Sequence, residues 1–136
     1  MKILTQDIRE RLLANGAKQD PVRGTPDEID FPPVVKLFTP DAAATWLLTE
    51  LDSEDPDIAF GLCDLGMQCA ELGSVRISEL ESIRGPLGLP VERDLHFEAQ
   101  AGLSVYAEAA RAADGIVTDA ARLEAARAAL TRRAGR

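Results

Sequence analysis

Histidine and cysteine are nearly missing from this chain, which has His96, Cys63 and Cys69 and no others. Those three fall short of the four ligands that a structural zinc takes, and the C-x5-C spacing fits no common zinc motif, so no metal is expected. Nothing beside either cysteine resembles a nucleophile elbow or a cysteine-protease signature. Both read as reduced core or loop thiols of a cytoplasmic protein, ahead of a Cys–His nucleophilic pair. Aromatic residues make up only 4% of the chain, which leaves its core to Leu, Val, Ile and Ala. No apolar run approaches the ~20 residues of a membrane span. The opening MKILTQDIRE meets charged residues too soon for a signal-peptide core. There is no phosphate-binding glycine loop, no Ser-His-Asp signature and no heptad run, so no cofactor is implied.

Positive charge is missing from the middle. Between Lys36 and Arg76 there is no Lys or Arg, while Asp41, Glu50, Asp52, Glu54, Asp55, Asp57, Asp64 and Glu71 all fall there. The net charge is -8. Such a field repels phosphates and attracts basic surfaces, so direct nucleic acid binding by this region is not expected and a basic protein surface is. The tail runs the other way, with Arg122, Arg127, Arg132, Arg133 and Arg136, but no aromatics interleave them. A chain of 136 residues is one domain, long enough to bury roughly 70% of its unfolded surface without staples.

What is present organises around residues 34–65. Val34–Phe38, Thr45–Leu51 and Ile58–Leu65 are strand-length apolar runs separated by Pro- and Asp-rich turns, the pattern of an antiparallel meander. Before them a helix is predicted over 5–14, capped by Thr5, stopped by Asn15-Gly16, with Leu4, Ile8 and Leu12 on its buried stripe. Residues 17–33 carry four prolines and form a connector that Ile29 and Phe31 anchor. Thr39–Ala44 suits a single helical turn, with a tight hairpin as the alternative. Gly61 suggests a bulge or the close approach of another backbone. Residues 66–74 read as a loop, Val75–Ile77 as a short fourth strand, and Ser78-Glu-Leu-Glu81 as a capping box opening a helix that ends at Arg84-Gly85. Val91–Phe97 alternates as a fifth strand. A helix runs from Leu103 to Ala113, stopped by Asp114-Gly115, and Thr118 caps a last, alanine-rich helix of weak amphipathicity that frays or packs on a partner. The sum is α+β: an antiparallel sheet of four to five strands with helices packed on one face. Residues 1–117 form the domain and 118–136 a helical Ala/Arg-rich tail.

Two constellations bear on function. Asp52–Asp57 offers oxygen ligands, but an EF-hand needs glycine at its sixth position and a carboxylate at its twelfth, where this chain has Asp57 and Cys63. A solvated hairpin tip is the better reading. In Glu92-Arg93-Asp94, alternation puts Arg93 on the apolar face, where it wants a carboxylate such as Asp64 or Glu50. Pro86–Pro90 forms a rigid apolar turn, suited to a lid or a partner contact. Trp46, the single tryptophan, reads as a core anchor, or as the wall of a groove near that turn.

The stretches VVKLFTP, WLLTELD, GLCDLG, ELGSV, SELESIRGPLGLPVERDLHF and LSVYAEAARAA, in this order over residues 3–117, resemble the domain-of-unknown-function family 2958. Ala70 departs from the pattern, which has proline before Glu71-Leu-Gly73. The resemblance implies small cargo proteins of bacterial plasmids, integrative elements and prophages, near anti-restriction or conjugation functions, and it carries over no catalytic residues. Two functions compete. The first is an accessory protein that occupies a basic surface on a host defence or nucleic-acid-handling protein, using Glu50, Asp52, Glu54, Asp55, Asp57, Asp64 and Glu71. The alternative is a small enzyme or ligand-binding module, whose cleft would gather Trp46, Cys63 and Arg84 with Glu92, Arg93 and Asp94, beside Glu50 and Asp64.

Overall fold

The computed structural model describes residues 2–135; Met1 and Arg136, the last arginine of the basic tail, lie outside it. In chain order the elements are α1 (Gln6–Gln19), β1 (Val35–Phe38), β2 (Thr45–Leu51), β3 (Ile58–Asp64), β4 (Ala70–Arg76), α2 (Ile77–Ser82), β5 (Glu92–Arg93), α3 (Leu103–Ala113) and α4 (Ala120–Ala134). The strands form one five-stranded sheet in the order β4-β3-β2-β1-β5, and every pairing is antiparallel. The fold is α+β.

Helices cover both faces, not the single face expected. Successive strand residues point to opposite sides of a sheet. Trp46 and Leu48 of β2 pack with Leu12 of α1 and Leu80 of α2. Leu47, between them, packs with Tyr106 of α3 and Leu123 of α4. The run Trp46-Leu47-Leu48 is continuous because β2 is buried on both faces.

Thr5 caps α1 as expected, its Oγ1 accepting from the Ile8 N–H at 3.2 Å. The helix then runs through Asn15-Gly16 to Gln19 instead of stopping there. Asn15 Nδ2 donates to the Thr49 carbonyl at 2.9 Å, and Gly16 lies directly against the Leu51 backbone. Its glycine allows two elements to touch; it does not end the helix. Gln19 then pins the connector, accepting from Ile29 N at 2.9 Å and donating to Ile29 O at 2.8 Å. Ile29 is therefore held by its backbone while its side chain stays exposed. Phe31 anchors through its carbonyl, which accepts from Leu103 N at 2.9 Å.

Several further local expectations are corrected. Thr39–Ala44 forms no helical turn: Thr39 N–H donates to Ala44 O at 3.0 Å and closes a six-residue hairpin loop in register with Phe38↔Thr45. Residues 70–74 are strand, not loop, because they pair with β3 in unbroken register. The strand expected over 91–97 pairs only at Glu92–Arg93. Its alternation ends where Asp94 turns the chain off the sheet: Leu95 is 75% exposed, and Phe97 crosses to pack near Tyr106, ring centres 6.3 Å apart. The last helix is capped by Asp119, not Thr118, and packs on α3 through Leu123 and Ala126.

Ser78 does not cap α2. Asp57 does so from just before the neighbouring β3, its carboxylate accepting from Ser78 N–H at 2.9 Å and from Ser78 Oγ–H at 2.7 Å. The Ser78 hydroxyl and amide, with Arg76 at 3.5 Å, hold the Asp57 carboxyl below the ordinary carboxylate range. The unfolded chain binds that proton more readily, so the bond stabilises the fold above the ordinary carboxylate value and is lost as pH falls through the lowered one. Thermal midpoints are expected to fall on acidification below about pH 4. Asp57→Asn should flatten that limb of the profile and lower the plateau at neutral pH; an unchanged acid limb would show that other carboxylates govern it.

Candidate interaction groove

The site begins with an irregularity in β2. Leu48 pairs with Gly61 and Glu50 with Phe60, so Thr49 is the extra residue of a β-bulge. Gly61 permits it: an added Cβ there would lie 2.8 Å from Leu48 Cα. The Thr49 hydroxyl sits 3.3 Å from Phe60 O and 3.2 Å from Glu50 Oε1. Glu50 is thereby sunk to 2% exposure. Arg23 reaches its Oε2 at 3.0 Å from the connector, and Gln19 lies 3.5 Å from its Oε1. A buried carboxylate needs such partners.

From this bulge an open groove runs over the α3 face of the sheet to its β4 edge. Two depressions of about 630 and 570 Å³ meet at Leu72 and Ser104. One wall is β4, whose Leu72 is 53% exposed. The other is the α3 stripe Ser104, Ala107, Glu108 and Arg111, spaced so that they share one helical face. Asp30 positions that wall by capping α3 from the connector, accepting from Ser104 N–H at 2.9 Å. Five acidic residues line the groove (Glu28, Asp30, Glu50, Glu108 and Asp114); Glu50 and Glu108 are paired with Arg23 and Arg111, whereas Glu28, Asp30 and Asp114 have no ion pair among the described residues. Arg133 also reaches Glu108 at 2.6 Å from α4 and, with Arg111, holds its carboxyl below the ordinary range.

The structure separates the acidic residues singled out by sequence. Glu50 lines the groove at its bulge end, while Glu71 pairs opposite Cys63 and projects from the other face of β4, where Cys69 Sγ lies 3.3 Å from its Oε1. Asp64 is buried and structural, accepting from Gly66 N at 2.8 Å and from Ile116 N at 2.9 Å. Asp52 turns the hairpin tip by accepting from Glu54 N at 2.8 Å and Asp55 N at 3.1 Å, which lowers its pKa. Asp55 and Asp57 share Arg76, at 3.2 and 3.5 Å. Glu54 alone at that tip is exposed without an ion pair among the described residues. The tip is therefore an internally bonded turn. The groove was missed in sequence because β4 was read as loop; the exposed Leu72 next to Glu71 was its one visible signal.

The cleft expected around Trp46 does not assemble. Trp46 and Cys63 pair across β2 and β3 on the α1 face, inside or against the core, whereas Glu50 opens toward the α3 side. Among the described residues Arg93 takes no carboxylate: its Nη1 donates to the Ile3 carbonyl at 2.5 Å. Asp94 pairs with Lys36 at 3.5 Å, Glu92 is exposed, and Arg84 donates to the carbonyls of Glu81 and Ile83. Leu87 and Leu89 of the Pro86–Pro90 turn are exposed, and Asp41 holds the turn by accepting from Leu87 N at 2.7 Å. Both thiols are free. Burial pushes the Cys63 thiol up, and a hydrogen bond to Glu71 does the same for Cys69, so neither is an activated nucleophile.

Among the described residues no cluster of His, Cys, Asp or Glu could hold a metal ion, and no helix is long and apolar enough to cross a membrane. No curated protein and no solved structure matches the chain. A family model does match, over residues 3–117, a span that takes in the bulge, β4 and α3. The chain belongs to that family, described as Protein of unknown function (DUF2958).

Proposed function

We propose that this protein is an acidic accessory protein that binds and modulates a basic partner, a host protein that handles nucleic acid or defends against it. The setting is the bacterial mobile element implied by its sequence family. The supporting observation is the groove, where Glu28, Asp30 and Asp114 stand without an ion pair among the described residues around an exposed leucine. Apolar contact supplies affinity at its centre, and the surrounding charge speeds encounter and selects basic partners. Nucleic-acid-binding surfaces are strongly basic, which is why that partner class is named.

The test is affinity capture from a nuclease-treated bacterial lysate with the native chain and with Glu28→Lys, at an exposed position of the groove. Recovery of one nucleic-acid-handling protein that is released at high salt and lost with Glu28→Lys supports the reading. A bait that returns clean, or a companion indifferent to salt and to the substitution, overturns it.

A further inference from the structure

The two edges of the sheet are protected very differently. β5, at one edge, is two residues long, and short edge strands resist pairing with other chains. At the other edge, β4 runs for seven residues, Ala70–Arg76, in unbroken register with β3. It carries no proline, no lysine and no bulge, the usual devices that blunt an edge. Among the described residues, backbone hydrogen bonds reach β4 only from β3. Half of its N–H and C=O groups therefore face outward without a protein partner. Gly73, midway, has open space where a Cβ would project.

α3 stands beside this edge without closing it. Its Ser104 and Ala107 are small, leaving room over Leu72 for the side chains of a neighbouring strand. Acidic groups flank that space at both ends, Asp114 near the β3–β4 hairpin and Glu28 and Asp30 near the connector, and Glu71 projects from the opposite face of β4, beside the alternate residues of any strand added there. We infer that the free edge of β4 takes an extended, basic segment of a partner protein as a sixth strand, laid in the groove between β4 and α3. Main-chain bonds to β4 give the affinity, an apolar side chain sits over Leu72 and Ala107, and flanking Lys or Arg meets the carboxylates. This rests on the proposed binding of a basic partner and specifies how that partner is held.

The probe is a fluorescent, end-capped peptide of alternating lysine and valine, seven residues long to match β4, together with the same peptide N-methylated at alternate residues in either frame. N-methylation keeps the charge and removes the ladder bonds. The peptide should bind saturably, slow hydrogen exchange at β4 amides that exchange freely in the unbound protein, and lose roughly tenfold or more in affinity when methylated in one frame. Glu71→Lys and Glu28→Lys, both at exposed positions, should each weaken binding several-fold, with unchanged thermal melting.

Equal binding of the plain and methylated peptides, with no protection at β4, overturns strand addition while leaving salt-dependent capture of a basic protein intact. Failure of every lysine–valine peptide to bind at low salt overturns it as well. So does protection of β4 in the peptide-free protein that rises with concentration alongside dimer formation, since the edge would then belong to a second copy.

Discussion

Gly16→Ala is expected to destabilise the fold by roughly 3 kcal/mol, at the upper end of the cost of overpacking. The sign carries the information. In an exposed helix interior the same change stabilises by about 0.5–1 kcal/mol, because glycine loses more conformational freedom on folding. Here an added Cβ would lie 3.0 Å from the Leu51 carbonyl carbon and closer still to its oxygen. Backbone atoms cannot move aside as a flexible side chain can, so α1 must lift from β2. Lifting would strain the bond from Asn15 to Thr49 O and loosen Leu12 in the core. Urea unfolding at neutral pH measures the difference. A neutral or stabilising result would mean that α1 does not sit this close to the sheet.

On the other face the largest loss is expected from Tyr106. Its side chain is 1% exposed and packs among Leu47, Leu62 and Leu123 in the core beneath α3. Truncation to alanine costs roughly 3–5 kcal/mol, the range for a large aromatic removed from a packed core. Tyr106→Phe costs only about 1 kcal/mol, because it removes one hydrogen bond, accepted from Gln100 N at 3.0 Å, and keeps the ring against Phe97. The pair of variants separates packing from hydrogen bonding at one position. Equal losses would place the contribution in the hydroxyl. Small losses in both would mean that the α3 face contributes little to stability, contrary to its two-sided burial of β2.

Much of the core was legible in order. β1, β2, β3 and α3 fall within a residue or two of where periodicity and turn residues put them, and the left-handed Asp114 before Gly115 ends α3 as expected. Hydrophobic periodicity reports which residues are buried, and these elements are buried along much of their length. β4 was illegible for the same reason: Glu71, Leu72, Ser74 and Arg76 are exposed at an edge, and an edge strand needs no apolar alternation. Val91–Phe97 failed in the opposite direction, because alternation arose from a chain that leaves one face and joins the other.

By itself the sequence determined the class, the meander and the acidic balance. It also excluded a membrane-spanning helix and offered no metal-binding motif, since composition and local spacing decide those. Only the tertiary structure decided which carboxylates are available to a partner. Asp57 became a helix cap, Asp64 a tie between β3 and the segment before α4, and Glu50 the buried floor of a bulge. A carboxylate's role depends on which N–H groups and guanidinium groups come within about 3 Å of it, and those donors come from residues as distant in sequence as Ser78 and Ile116. The free edge of β4 is likewise a property of strand order, which no local stretch of residues encodes.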